Sequence, residues 1–255
     1  MRSVLFALAV LLLSSASASA NDKRITIRWF GQSYFQIVSS AGTKIIIDPH
    51  LIEAYPRAIN PADLVLITHN HMDHNQIEAI ENKERAKIIV GCKGAGRKQE
   101  WNAVDEQFKD VHVRTVGLYH DKSQGMERGK NSAFIIDVDG LHIVHLGDVG
   151  HILTEALIKA IGPVDILMIP VGGSYTINGS DAKKIVEQLH PTRLILPMHY
   201  GTKVFQDLVG SEEFLDEQQN VDKLLATNEL TVPVEAKPAA APKIVLLGWK
   251  KGEDK

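Results

Sequence analysis

The run His69-Asn70-His71-Met72-Asp73-His74 constrains this chain more than any other stretch, because four of its six residues can bind a transition metal. It follows at once on the apolar, strand-like run Leu64-Val65-Leu66-Ile67. Imidazole nitrogen and carboxylate oxygen suit zinc, iron or manganese, and ligands packed this closely need a rigid element just behind them to aim them. Two His separated by one residue in an extended segment point the same way, whereas the adjacent Asp and His diverge toward a second position. The cluster therefore reads as part of a site for two metals. The alternative is a polar loop rich in His, and with 11 His among 255 residues such a packed run is an improbable accident.

Composition narrows the setting. At 255 residues and 44% hydrophobic content the chain can bury the core of one large α/β domain or two small ones. A formal charge of −3 without a basic block offers no footprint for nucleic acid or an anionic membrane surface. No nucleic acid is expected as a partner, and a small-molecule or lipid-like substrate is. Residues 1–20 read as a secretory signal peptide: Arg2 supplies the positive end, Val4 to Leu13 the apolar run, and Ala18-Ser19-Ala20 the small-residue cleavage site. The apolar run is shorter than the ~20 residues a membrane span needs, so no transmembrane anchor is expected after cleavage. A periplasmic or secreted protein beginning at Asn21 follows. The one cysteine, Cys92, has no partner for a disulfide and reads as a buried small hydrophobe.

Short β-branched runs alternate with amphipathic segments. Strands are predicted at 25–29, 34–38, 44–47, 64–68, 87–90, 111–116, 133–138, 141–146, 166–169, 194–196 and 244–247. Helices are predicted at 76–84, 153–161, 181–189 and 212–225, with Ser180 capping the third and Pro191 ending it. Residues 233–242 read as a loop. Hairpin-like turns early in the chain and helical connections later suggest two sheets packed face to face with helices outside. Three more candidate ligands each come just after an apolar run: His120, Asp148 and His199.

Through His69-x-His71-x-Asp73-His74, His120, Gly147-Asp148 and His199, the chain resembles the metallo-β-lactamase fold hydrolases over nearly all of residues 21–255. A narrower resemblance is to the branch with ascorbate-6-phosphate lactonase-like proteins and N-acylphosphatidylethanolamine phospholipase D. It rests on Gly31-Gln32-Ser33-Tyr34-Phe35, Ile46-Ile47-Asp48-Pro49, His145-Leu146-Gly147-Asp148, Gly172-Gly173-x-x-Thr176 and Pro197-Met198-His199-Tyr200. The resemblance implies a four-layer αββα sandwich and two divalent metal ions, Zn2+ in first place with Mn2+ or Fe2+ as alternatives. It implies that His69, His71 and His120 hold one ion, that Asp73, His74 and His199 hold the other, and that Asp148 bridges them. Asp73 would also orient the attacking water or shuttle its proton, and Asp48 would support a metal-binding His from behind.

His145 reads as a hydrogen-bonding or core His rather than a ligand. Tyr200 and Tyr175 are candidate substrate contacts, and the loop 121–130, with Lys122, Arg128 and Lys130, reads as solvated, with contact between its charges and an anion as the alternative. The function implied is an exported metal-dependent hydrolase whose metal-activated water attacks an ester, lactone or phosphodiester bond. The alternatives are a di-iron oxidoreductase on the same fold, disfavoured because such members resemble His-x-Glu where this chain has His71, and a non-catalytic metal-binding protein.

Overall fold

Strict alternation in Arg24–Trp29 sends Ile25, Ile27 and Trp29 into the core and leaves Thr26 and Arg28 partly exposed, the pattern of a strand with one buried face. In the computed structural model, which describes residues 23–94, 96–235 and 240–248, this strand belongs to a six-stranded sheet. The strand order is Glu229–Pro233, Arg24–Trp29, Phe35–Val38, Lys44–Ile47, Leu64–Ile67, Lys87–Val90. An eight-stranded sheet packs against it, ordered Val221–Leu224, Lys243–Leu247, Leu194–Met198, Ile166–Pro170, Leu141–His145, Lys130–Val138, Val111–Tyr119, Asp105–Phe108. The predicted signal segment, residues 1–20, lies outside the described residues.

Period-two alternation sorts side chains into two cores. Ile45 and Ile47 join the large cluster between the sheets, while Ile46 faces the other way with Val65, Ile67, Tyr34 and Ile80. The second sheet is antiparallel from Asp105–Phe108 to Leu141–His145 and parallel beyond. Helices Glu155–Ile161 and Gly179–Leu189 make the crossovers, burying Ile161, Ala182, Ile185 and Leu189. Covered on both faces, Ile166–Pro170 is apolar throughout. These are the layers of an α/β sandwich, with one departure: the helix predicted at 76–84 is a 3-10 turn, Ile77–Ala79.

Two other expectations are corrected. The helix predicted at 212–225 is a single turn, Glu212–Leu215, followed by the edge strand Val221–Leu224, which pairs with Lys243–Leu247. The helix predicted from 181 starts at Gly179, and its cap is Asn178, whose Oδ1 accepts from Asp181 N at 2.9 Å. Ser180 lies inside the helix and donates to Glu213 at 2.7 Å. The predicted loop 233–242 falls partly on residues 236–239, outside the described residues.

The topology puts chemistry on one edge. Asp48, the 69–74 cluster, Asp148 and His199 follow the C-terminal ends of parallel strands, where α/β sheets gather ligands. His120 reaches the same edge because Val111–Tyr119, two antiparallel steps away, runs in the direction of Leu141–His145.

Candidate metal centre

Thr68 follows strand Leu64–Ile67 and is held by Asp48 from the neighbouring strand end. Asp48 Oδ1 accepts from Thr68 N and Oδ2 from Thr68 Oγ1, both at 2.7 Å. Asp48 Oδ2 also lies 2.9 Å from His74 Nδ1. A fully buried carboxylate there fixes Nδ1 as the protonated nitrogen and leaves Nε2 facing inward. Thr68 Oγ1 lies 2.9 Å from His69 Nδ1, so His69 likewise presents Nε2. After Thr68 the chain bends, and a turn closes with His74 N donating to His71 O at 3.0 Å.

The residues gather in two groups. His69, His71 and His120 form one, and Asp73, His74, Asp148 and His199 the other, each with a potential ligand atom within 4.8 Å of every other in its group. His69 Nε2 and His71 Nδ1 converge to 3.0 Å. Asp148 Oδ2 links the groups: it lies 3.1 Å from His74 Nε2, 3.1 Å from His199 Nε2 and 3.3 Å from His120 Nε2. The rings are only partly satisfied. His74 Nε2, His120 Nδ1 and both nitrogens of His199 are buried without a hydrogen-bond partner. Unpaired buried polar atoms are costly, and a set of imidazoles and carboxylates aimed at common points fits cations that complete them.

The turn that delivers Asp148 is tightly built. Gly147 has φ +54°, and a Cβ there would meet Asn131 Oδ1 at 2.3 Å and Thr68 Cβ at 2.9 Å. Asn131 holds the turn from below, accepting from Asp148 N at 3.2 Å and donating to Leu146 O at 2.8 Å. His145 accepts from Gly147 N at 3.1 Å through Nδ1 and donates from Nε2 to Ser33 O at 3.0 Å. With both nitrogens used, it joins the Asp148 turn to the 31–34 loop, and burial keeps it neutral. Ser33 Oγ donates to the other oxygen, Asp148 Oδ1, at 3.4 Å. His199 sits at φ +50°, with its N–H donating to Gln32 O at 3.1 Å, so the same loop seats a second ligand candidate in a left-handed conformation.

Electrostatics follow from opposed charges in a buried place. Burial pulls the His74 pKa down, but Asp148, Asp73 and Asp48 outweigh it and raise the ring well above the usual His range. Burial pushes Asp148 up, yet His199 and His74 hold it well below the usual carboxylate range. Asp73 is held down to about 2, the pull of His74 overcoming burial. Burial and the neighbouring rings lower His69 and His71. His71 is the exposed member of its group, so the centre opens to solvent on that side.

Of the two tyrosines picked from the sequence, Tyr200 is buried with its ring stacked on Trp29 at 5.5 Å, beside a separate cavity of about 810 Å³. Tyr175 is exposed and lies under Arg128, 4.8 Å from the guanidinium carbon to the ring centroid. The sequence assigns no role at the site to Thr68, Ser33 or Asn131; Ser33 stands out only as part of the Gly31-Gln32-Ser33-Tyr34-Phe35 motif, and Thr68 and Asn131 only as polar residues beside apolar runs.

A family model described as a β-lactamase superfamily domain matches residues 26–199. The chain belongs to the metallo-β-lactamase superfamily. Among its superfamily relatives, a protein of Thermococcus onnurineus named UPF0173 metal-dependent hydrolase is 32% identical over 213 residues, covering 74% of this chain and 93% of the relative. A Thermotoga maritima crystal structure, described as a proposed zinc-dependent hydrolase of the metallo-β-lactamase superfamily, matches with TM-score 0.66 and 29% identity over 89% of this chain and all of that one. CmlA, a diiron β-hydroxylase from Streptomyces venezuelae, shares the fold alone, at 16% identity and TM-score 0.53 over 75% of this chain and 49% of its own. The protein is thus a metal-dependent hydrolase of the metallo-β-lactamase superfamily.

Proposed function

We propose that this protein is an exported hydrolase that holds two divalent cations, zinc in first place, and cuts an ester, lactone or phosphodiester bond in a small or lipid-like substrate. The observation that carries the reading is Asp148 Oδ2, placed 3.1 to 3.3 Å from histidine nitrogens of both groups, where one carboxylate oxygen can serve two ions. His69, His71 and His120 would hold one cation, and Asp73, His74 and His199 the other, with Asp148 shared. Bound there, such a pair supplies an activated water and polarises the oxygen of the bond to be cut.

The chain's own part is orientation and proton handling. Asp48 and Thr68 fix which nitrogens of His74 and His69 face the centre. Ser33 holds the Asp148 carboxylate and Asn131 its backbone N–H. The half-buried Asp73 carboxylate, held ionised at neutral pH, would orient the water by accepting a hydrogen bond from it. Di-iron members of the superfamily resemble His-x-Glu where this chain has His71, and that resemblance favours zinc or manganese and hydrolysis over redox iron.

Elemental analysis tests the centre: about two ions per chain are expected, with Asp148→Ala losing ions from both groups and turnover of nitrophenyl ester, lactone and phosphodiester probes lost with them. Full activity after metal removal, or redox-active iron at stoichiometric level, would overturn the reading. Export is tested by N-terminal sequencing of protein from the periplasm or medium, where Asn21 should be the first residue.

A further inference from the structure

We infer that Arg128 recognises an anionic group, carboxylate or phosphate, on the substrate; the inference rests on the hydrolytic reading above. The loop that carries it is a built structure. Asp121, next to His120, accepts four backbone N–H bonds: Ser123 and Gly125 donate to Oδ1 at 2.8 and 2.9 Å, Glu127 and Arg128 to Oδ2 at 3.2 and 2.8 Å. The loop closes on the metal centre, with His120 N donating to Gly129 O at 3.1 Å.

Arg128 lines two clefts at once. One, of about 640 Å³, contains His71, Asn70, Gln99 and Lys130; the other, of about 360 Å³, contains His120, Tyr175 and Lys122. It therefore stands at the open side of the His69, His71 and His120 group.

The neighbouring charges are already engaged. Lys122 donates to Asp181 at 2.9 Å, and Lys130 donates to Gln99 O at 2.8 Å above the Trp101 ring. Asp121 is saturated by backbone donors, and Glu127 accepts from Ser123 Oγ at 2.6 Å. Among the described residues no carboxylate pairs with the Arg128 guanidinium, whose contact is the face of Tyr175. A guanidinium stacked on a ring keeps its in-plane N–H groups free, the geometry that takes carboxylate or phosphate in paired hydrogen bonds. Tyr175 is then the platform for the cation rather than a hydroxyl donor to substrate.

The test compares metal-loaded wild type with Arg128→Gln, Arg128→Lys and Tyr175→Ala on three nitrophenyl esters, one neutral, one with a free carboxylate and one with a phosphate group. Arg128→Gln should lower kcat/KM for an anionic ester, mainly through KM, at least about 10-fold more than for the neutral one. Arg128→Lys should restore part of the loss, and Tyr175→Ala should fall between. Whichever anionic ester shows the larger discrimination identifies carboxylate or phosphate as the group. Equal losses on all esters, or none, would overturn the inference. If wild type cuts none of them, the ester reading fails by itself, and calorimetric titration with succinate and inorganic phosphate decides. Affinity about 10-fold weaker in Arg128→Gln supports the role; equal affinity rejects it.

Discussion

His74 Nδ1 lies 2.9 Å from Asp48 Oδ2, and both side chains are fully buried. This contact reaches from the end of one parallel strand to the loop after the next and sets which nitrogen His74 turns to the centre. Asp48→Asn keeps the shape but removes the charge and one acceptor. Affinity for one of the two ions should drop about 10- to 100-fold with the fold intact. Competition with a chromogenic chelator, alongside circular dichroism, measures both; unchanged affinity would refute the orienting role.

Metal uptake should release a proton. In the metal-free protein the carboxylates of Asp148, Asp73 and Asp48 around His74 raise its pKa and favour the charged ring, whereas ligation requires the neutral one. Titrating metal into the metal-free protein in buffers of different ionisation enthalpy should give apparent heats that vary with the buffer. Buffer-independent heats would contradict this. Chelation should also lower Tm, since it leaves His74 Nε2, His120 Nδ1 and both nitrogens of His199 without hydrogen-bond partners.

Gly147→Ala places a Cβ 2.3 Å from Asn131 Oδ1 at a left-handed backbone position. The expected loss is about 2–4 kcal/mol in urea unfolding, together with weaker metal binding through Asp148. By contrast, Gly140→Ala meets nothing within 4 Å, so it carries the strain of φ +76° alone and should cost less.

The Asp121 loop should loosen in acid. Burial raises the Asp121 pKa but the backbone N–H bonds from Arg128, Gly125, Ser123 and Glu127 outweigh it, so the folded value lies below the unfolded one. Its stabilisation is complete above the unfolded value of about 3.9 and is lost as pH falls through the folded value. Hydrogen exchange at these four amides should therefore accelerate in strong acid relative to the sheet core, once corrected for intrinsic rates. At neutral pH Asp121→Asn should reproduce the effect, about 10-fold or more. Unchanged protection in the variant would show that the loop holds without the carboxylate.

Local pattern was enough wherever one face of a segment decides its structure. The alternation in Arg24–Trp29 and the all-apolar Leu64–Ile67 and Ile166–Pro170 form the strands that their side chains require. Where outside partners compete for the backbone, pattern failed. Residues 76–84 carry a helical spacing, yet Ala79 O accepts from Asn60 N and Asn60 O accepts from Glu81 N, at 2.9 and 3.0 Å. Asn82 takes up both backbone groups of Ala62. Past Leu215 the second helix is likewise traded for pairing of Val221–Leu224 with the final strand. The loop 121–130 is solvent-exposed at Arg128, as read from the sequence, but the backbone hold of Asp121 on Arg128, seven positions later, shows only in the tertiary structure.

The residue types of the candidate centre, and their places just after apolar runs, were determined by the sequence alone, because ligand chemistry and strand periodicity are local. Which nitrogens face inward, that Asp148 Oδ2 stands between the two groups, and that Asp48, Thr68, Ser33 and Asn131 hold the geometry were decided by the tertiary structure. Those relations join residues up to 115 positions apart, and buried hydrogen bonds over such separations exist only once the two sheets have closed on one another.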